Sequence, residues 1–324
     1  MVIYKSINDD TLNNMANNSS SFDSLGSGFI NLSKIDKERT VNISKSINDD
    51  IFLYMASSSS LDVVGNALTN LNKIDRNKTV NFYKSINDYA LINKSVTVNV
   101  LGSGLNALNG INKEKTAKIY KSINGNTLLN IVNNSSTLHI LGDGLNNLSK
   151  INKDKTTKIY KSMSDDIIID MVNNSFKIVN LGNGLLSLNK IDKDKTTRIY
   201  KSIPDNIFID MAKKSLNLAL LGTGLIGFNE IDKDKTTRIY KSISNNILIN
   251  MANNSSTLAT LLLGLSNLIK IDTVLTRKIY STIDDNTLVV MANNSFKLNN
   301  FKNILFSLDK IDKAKTYRLR INIS

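Results

Sequence analysis

The chain repeats itself, and the length of the repeat dictates what it can fold into. A pentapeptide reading IYKSI begins at residue 3 and returns as ISKSI at 43, FYKSI at 82 and IYKSI at 119. It recurs at 159 (closed there by Met163), 199 and 239, and in altered form, IYSTI, at 279. The steps are 40, 39 and 37 residues, then 40 four times. A second marker keeps the same step: Ile35, Ile74, Ile111, Ile151, Ile191, Ile231, Ile271 and Ile311, each followed by Asp or Asn. A length of 324 residues alone suggests about two domains. Self-similarity at this period points instead to one array, in which each unit buries its apolar face against its neighbours. The units run 1–35, 36–74, 75–111, 112–151, 152–191, 192–231, 232–271 and 272–311, and 312–324 is a partial C-terminal unit.

Residues 192–231 show the internal grammar. In DKDKTTRIYKSI, Ile199 and Ile203 stand one helical turn apart, behind Asp192 and Asp194, which suit a helix N-terminus. The column after YKSI reads Asn8, Asn48, Asn87, Asn124, Ser164, Pro204, Ser244 and Asp284. All are capping or breaking residues, so one helix ends and another starts there, with Pro204 expected in its first turn. A short second helix covers Ile207 to Ala212, and a third is expected over Leu216 to Asn229. In the third, Leu218, Leu221, Leu225 and Phe228 form one apolar stripe at helical spacing. Strand alternation is absent, and a step near 40 exceeds that of leucine-rich repeats. The expected fold is all-α: a right-handed α-solenoid of about eight tandem 37–40-residue repeats with two or three short helices each.

Composition removes whole classes of function. There is no Cys and one His, His139, which excludes disulfides, thiolate metal sites, a cysteine nucleophile and multi-His metal centres. His139 has no counterpart in the other units, and no carboxylate pair stands outside the repeat grammar. The chain therefore reads as a non-enzymatic binder with no cofactor and no metal. No apolar run approaches the length of a membrane span, and the N-terminus lacks a secretory pattern. The expected location is intracellular: cytoplasmic, or delivered into a host cell or organelle. The expected state is a monomer.

The repeated columns suggest what is bound. A Gly-x-Gly element occurs at Gly26/Gly28, Gly102/Gly104, Gly142/Gly144, Gly182/Gly184 and Gly222/Gly224, degraded elsewhere. It lacks the strand and the third Gly or Lys-Ser/Thr ending of a phosphate loop, so close helix packing is the preferred reading. Between the glycines lies a variable column: Ser27, Asn66, Ser103, Asp143, Asn183, Thr223, Leu263 and Asn303. At 100° per residue Thr223 lies about 160° from Leu225, away from the buried stripe. Small hydrogen-bonding residues that vary at a fixed position suit base reading, one base per helical repeat; tolerated solvent-facing residues are the alternative.

Basic residues keep the same step. Lys34, Lys73, Lys150, Lys190, Lys270 and Lys310 form one ladder, interrupted by Gly110 and Glu230. A second comprises Lys5, Lys45, Lys84, Lys121, Lys161, Lys201 and Lys241, and a third Lys118, Lys158, Arg198, Arg238, Lys278 and Arg318. With a net charge of +13, such ladders suit a phosphate backbone. A solvated face, partly neutralised by Asp in KIDKDK, is the competing reading. Tyrosine recurs at Tyr4, Tyr83, Tyr120, Tyr160, Tyr200, Tyr240 and Tyr280, with Ser44 in its place once. Filling the groove between units is favoured for it over stacking on a base.

The third-helix stretches NSSTLATLLLGLSNL (254–268) and LGNGLLSLNKI (181–191) resemble the octotricopeptide and FAST-kinase-like helical repeats. That resemblance implies an α-solenoid binding single-stranded RNA, about one unit per nucleotide. Bases would face Ser27, Asn66, Ser103, Asp143, Asn183, Thr223 and Asn303, and phosphates Lys34, Lys73, Lys150, Lys190, Lys270 and Lys310. The chain departs from that family in lacking its Trp and its turn Pro. Three helices per unit would bring it closer to armadillo arrays, so a scaffold for a protein or peptide ligand, including a host-directed effector, stays open.

Overall fold

A computed structural model describes residues 4, 6–19, 21–93, 95, 97–295 and 301–323. Every regular element among them is a helix, and the repeat unit contains three. In 192–231 the first helix is Lys193–Ser202, the second Asp205–Lys213 and the third Leu218–Asn229. The same triplet recurs, for instance, as Lys37–Ser46, Asp49–Ser58 and Leu61–Ile74, and Lys313–Ile323 takes the place of a first helix.

Local chemistry sets these boundaries. The Asp192 carboxylate accepts from the Lys195 amide at 2.9 Å, and the Thr196 hydroxyl donates to the Asp192 carbonyl at 2.8 Å. The first bond satisfies an amide left over at the helix N-terminus, and the second gives the buried Thr196 hydroxyl a partner on a carbonyl that already accepts the Thr196 amide. The equivalent cap is made by Asp36, Asp75, Asn112, Asn152, Asp232, Asp272 and Asp312. Ile203 turns to extended backbone and ends the helix. Pro204 is the N-cap of the second helix (φ −59°, ψ 142°), one residue before the first turn where it was expected. A proline there needs no amide partner. Asn217 caps the third helix through the Leu220 amide at 3.1 Å, so that helix starts at Leu218 and not at Leu216. The expected stripe of Leu218, Leu221, Leu225 and Phe228 is fully buried.

The chain divides into two compact bodies. One comprises Met1–Ser136 with Asp143–Met163, the other Thr137–Gly142 with Ser164–Ser324, so the division passes through the helix Leu138–Ser149. In each body the third helices stack backbone on backbone. A Cβ on Gly65 would lie 2.8 Å from the Gly104 carbonyl oxygen, and one on Gly222 would lie 2.9 Å from that of Gly264. The second glycine meets the start of the preceding third helix: Gly144 would touch Val98 and Gly224 would touch Ile178, at 2.6 and 2.7 Å from their carbonyl oxygens. These glycines serve close packing. Gly28 departs from the pattern, with open space where its Cβ would be. It borders an apolar cleft of about 440 Å³ lined by Leu12, Met15, Leu25, Phe29 and Leu32.

Tyrosines join successive first helices. Tyr83, Tyr120, Tyr200, Tyr240 and Tyr280 are fully buried. Their hydroxyls lie 2.9–3.1 Å from those of Thr116, Thr156, Thr236, Thr276 and Thr316 in the following unit. Core packing thus holds for these rings, and none of the five presents a face for a base. Where Ser44 replaces tyrosine, Phe22, Phe52 and Phe82 cluster with ring centres 5.3–6.3 Å apart.

Candidate functional site

One further basic column, which sequence reasoning did not separate from the others, is structural. Lys235, three residues into its first helix, sends its ammonium back to the preceding unit. It donates to the carbonyls of Tyr200 (2.8 Å), Lys201 (3.3 Å) and Ile203, and lies 3.4 Å from an Asp205 oxygen. Carbonyls at a helix C-terminus lack intrahelical partners and carry partial negative charge, so a cation is well placed there. Lys78, Lys115 and Lys155 repeat the arrangement on the carbonyls of Ile47, Ile86 and Ile123 at 2.5–2.6 Å. Arg39 does so on Tyr4 and Ile7, and Lys315 on Ile283. Burial holds the Lys78, Lys155 and Lys235 ammonium groups below their ordinary pKa, with Asp49 and Asp205 pulling Lys78 and Lys235 back up. The sequence signal was available: the acid column Asp9, Asp49, Asp88, Asp165, Asp205 and Asp285 matches a cation 27–30 residues later, and the neutral Asn245 matches Leu275, although Lys155 makes the latch with the neutral Gly125 in the acid position.

The three ladders read from the sequence stand on the surface. Lys34, Lys73, Lys150, Lys190, Lys270 and Lys310 are all exposed. So are the described members of the other two; Lys5 lies outside the described residues. Their surroundings differ. In the second body, Lys201 and Lys241 pair with Asp232 and Asp272 at 3.4 and 3.2 Å. Arg198, Arg238 and Arg318 pair with Asp165, Asp205 and Asp285 at 2.9–3.5 Å. The first ladder makes no ion pair among the described residues. Lys34 and Lys150 instead hydrogen-bond Asn31 and Asn147 at 3.3 and 2.9 Å, and Lys310 lies 4.7 Å over the Phe306 ring.

The variable column lies on the outer side of the third helix. Ser27, Ser103, Asp143, Asn183 and Thr223 are half-buried; Asn66 and Asn303 are exposed, as is Leu263. Each precedes its first-ladder position by seven residues, so Ser27 matches Lys34, Asn66 Lys73, Asp143 Lys150, Asn183 Lys190 and Asn303 Lys310. Seven residues turn a helix within about 20° of two full turns, and rise about 10 Å. The backbone stays helical at Lys34 and Lys190, which are the C-cap residues. Polar column and lysine ladder therefore share one stripe of each third helix. Glycine contacts set adjacent stripes side by side within each body, except at the last step of the second, where Leu262 and Ile304 stand in place of the glycines. Ser27, Asn66, Ser103 and Asp143 form four rungs in the first, and Asn183, Thr223, Leu263 and Asn303 four in the second.

His139 is half-buried near the start of the helix Leu138–Ser149. No group of His, Cys, Asp or Glu among the described residues is arranged to hold a metal ion, and no helix there is long and apolar enough to cross a membrane. In comparison with known proteins, the chain matches no family model, no curated protein and no solved structure.

Proposed function

We propose that the chain binds single-stranded RNA along its third helices, with phosphates on the first lysine ladder and bases at the variable polar column. The observation that carries this reading is the shared stripe. A residue able to accept or donate hydrogen bonds stands about 10 Å along the helix from a lysine that no acid neutralises. Adjacent helices touch through backbone, which sets neighbouring rungs about 8–10 Å apart and suits one nucleotide per unit. The likeness of these helices to octotricopeptide repeats agrees with the same partner.

The test is binding of the whole chain to single-stranded RNA pools over a series of salt concentrations. Affinity should fall steeply with salt, by about 0.7 in log–log slope for each phosphate contacted. Lys150→Glu with Lys190→Glu should weaken binding far more than Lys201→Glu with Lys241→Glu, whose lysines are already paired to Asp232 and Asp272. Asn183→Asp should alter preference at one nucleotide. Absence of binding at low salt, or equal loss from both pairs of substitutions, overturns the reading.

A protein or peptide ligand is the second reading. It is favoured by Leu263 and Phe306, which are 52% and 59% exposed on the stripes of 232–271 and 272–311. Tight binding of an amphipathic peptide with no dependence on salt would select it.

A further inference from the structure

We propose that residues 273–295 and 301–323 open together as a separate unit, hinged at the junction between the units 232–271 and 272–311. Two kinds of inter-unit contact are absent from that one junction among the described residues. The buried cation is replaced by Leu275, and its acid partner by Asn245. The first glycine of the third helix is replaced by Leu262, and the residue that would face it by Ile304. Neither change occurs at the junction before it, where Lys235 holds Tyr200, Lys201 and Ile203 and Gly222 meets Gly264. The first helix of 232–271 ends at Lys241, one residue short of its counterpart Lys193–Ser202, with the Ser242 amide donating to the Arg238 and Ile239 carbonyls.

What remains at the junction is lighter. The Tyr240 and Thr276 hydroxyls lie 3.1 Å apart, Lys241 pairs with Asp272 at 3.2 Å, and Ser295 and Asn294 each make one bond to the preceding unit. Beyond it the latch is whole again: Lys315 holds the Ile283 carbonyl and Asp285, and Arg318 joins the same carboxylate. The segment is thus bound tightly within itself and loosely to what precedes it. Openings of this kind separate along contiguous cooperative units.

Hydrogen exchange on the full chain tests this. Amides of the helices Thr273–Thr282, Asp285–Asn293 and Lys313–Ile323 should exchange as one block, roughly tenfold or more faster than those of Lys193–Ser202 and Leu218–Asn229, with a step at the junction. Asn245→Asp combined with Leu275→Lys rebuilds the latch and should slow that block by about tenfold, the size expected for hydrogen bonds to a charged group, without changing the helices before it. The converse pair, Asp205→Asn with Lys235→Leu, should move the step upstream so that Lys233–Lys241 joins the fast block. Protection that is equal across the junction, or that fades gradually towards the last helix with no step, overturns the proposal using the unmodified chain alone. So does a rebuilt latch that leaves exchange unchanged.

Discussion

The Lys235 ammonium lies 2.8 Å from the Tyr200 carbonyl oxygen, across a gap of 35 residues in sequence, and both groups are buried. This contact turns a neutral, unmet carbonyl into the docking point for the next unit. Lys235→Met should therefore cost about 2–3 kcal/mol, because it leaves three carbonyls without their cation and Asp205 with the exposed Arg238 alone. Asp205→Asn combined with Lys235→Leu, the combination the chain itself uses at Asn245 and Leu275, should cost less than the single change. Denaturant unfolding of the two variants checks the order.

Removing either hydroxyl of the Tyr240–Thr276 pair should cost about 1 kcal/mol. Tyr240→Phe and Thr276→Val together should cost less than their sum, since Thr276→Val alone already leaves the Tyr240 hydroxyl unmet in the core, whereas the Thr276 hydroxyl keeps its bond to the Asp272 carbonyl. A double-mutant cycle measures the coupling.

Glycines of one sequence column should respond in opposite senses. Gly224→Ala drives a Cβ against the Ile178 backbone at 2.7–2.8 Å, and should destabilise by about 2 kcal/mol despite better helix propensity. Gly28→Ala meets nothing within 4 Å and should stabilise by about 1 kcal/mol. Thermal unfolding of the two variants separates them.

Stability should fall at both ends of the pH scale. The Asp285 carboxyl is held below its ordinary value by hydrogen bonding to Lys315, and Asp272 by the Leu275 amide. Their contribution is present above about pH 4 and is lost as pH falls through the depressed values. Burial raises Tyr120 and Tyr280 to about 12. The unfolded chain ionises these phenols near pH 10, so their contribution is complete below about 10 and disappears between about 10 and 12. The buried lysines act in the other direction, favouring the fold as pH rises towards 10.5, so net alkaline loss should set in above that value. Tm against pH should show a plateau with these two edges.

If the first ladder contacts phosphate, completing it should help. Glu230→Lys and Gly110→Lys fill the two gaps among exposed positions. Together they should tighten single-stranded RNA binding and steepen its salt dependence by about 0.7 per added contact. Titrations at matched salt concentrations measure both quantities.

The fold was readable from the sequence because its rules recur eight times. Asp192, Pro204 and the Leu218–Phe228 stripe each mark a helix boundary or face through chemistry within a single unit. What escaped was chemistry between units. Lys235 is indistinguishable from Lys233 or Lys241 by composition, and only its register against Asp205 sets it apart. Pro204 was placed one residue too late because proline is tolerated at both the cap and the first turn. The shared stripe was implicit in the seven-residue offset from Asn183 to Lys190. The ion pairs that distinguish Lys201 and Lys241 from Lys190 needed the neighbouring helices in place.

Two kinds of inter-unit bond span similar stretches of chain: 33–36 residues for the buried Tyr–Thr pairs and 29–35 for the lysine latches. No contact of either kind waits for the end of the polypeptide. During synthesis at about 5–20 residues per second, each new unit supplies the partner for the one before it within a few seconds. The latch is thus also a timing device: a nascent chain carries one unsealed apolar face at a time, whatever its final length.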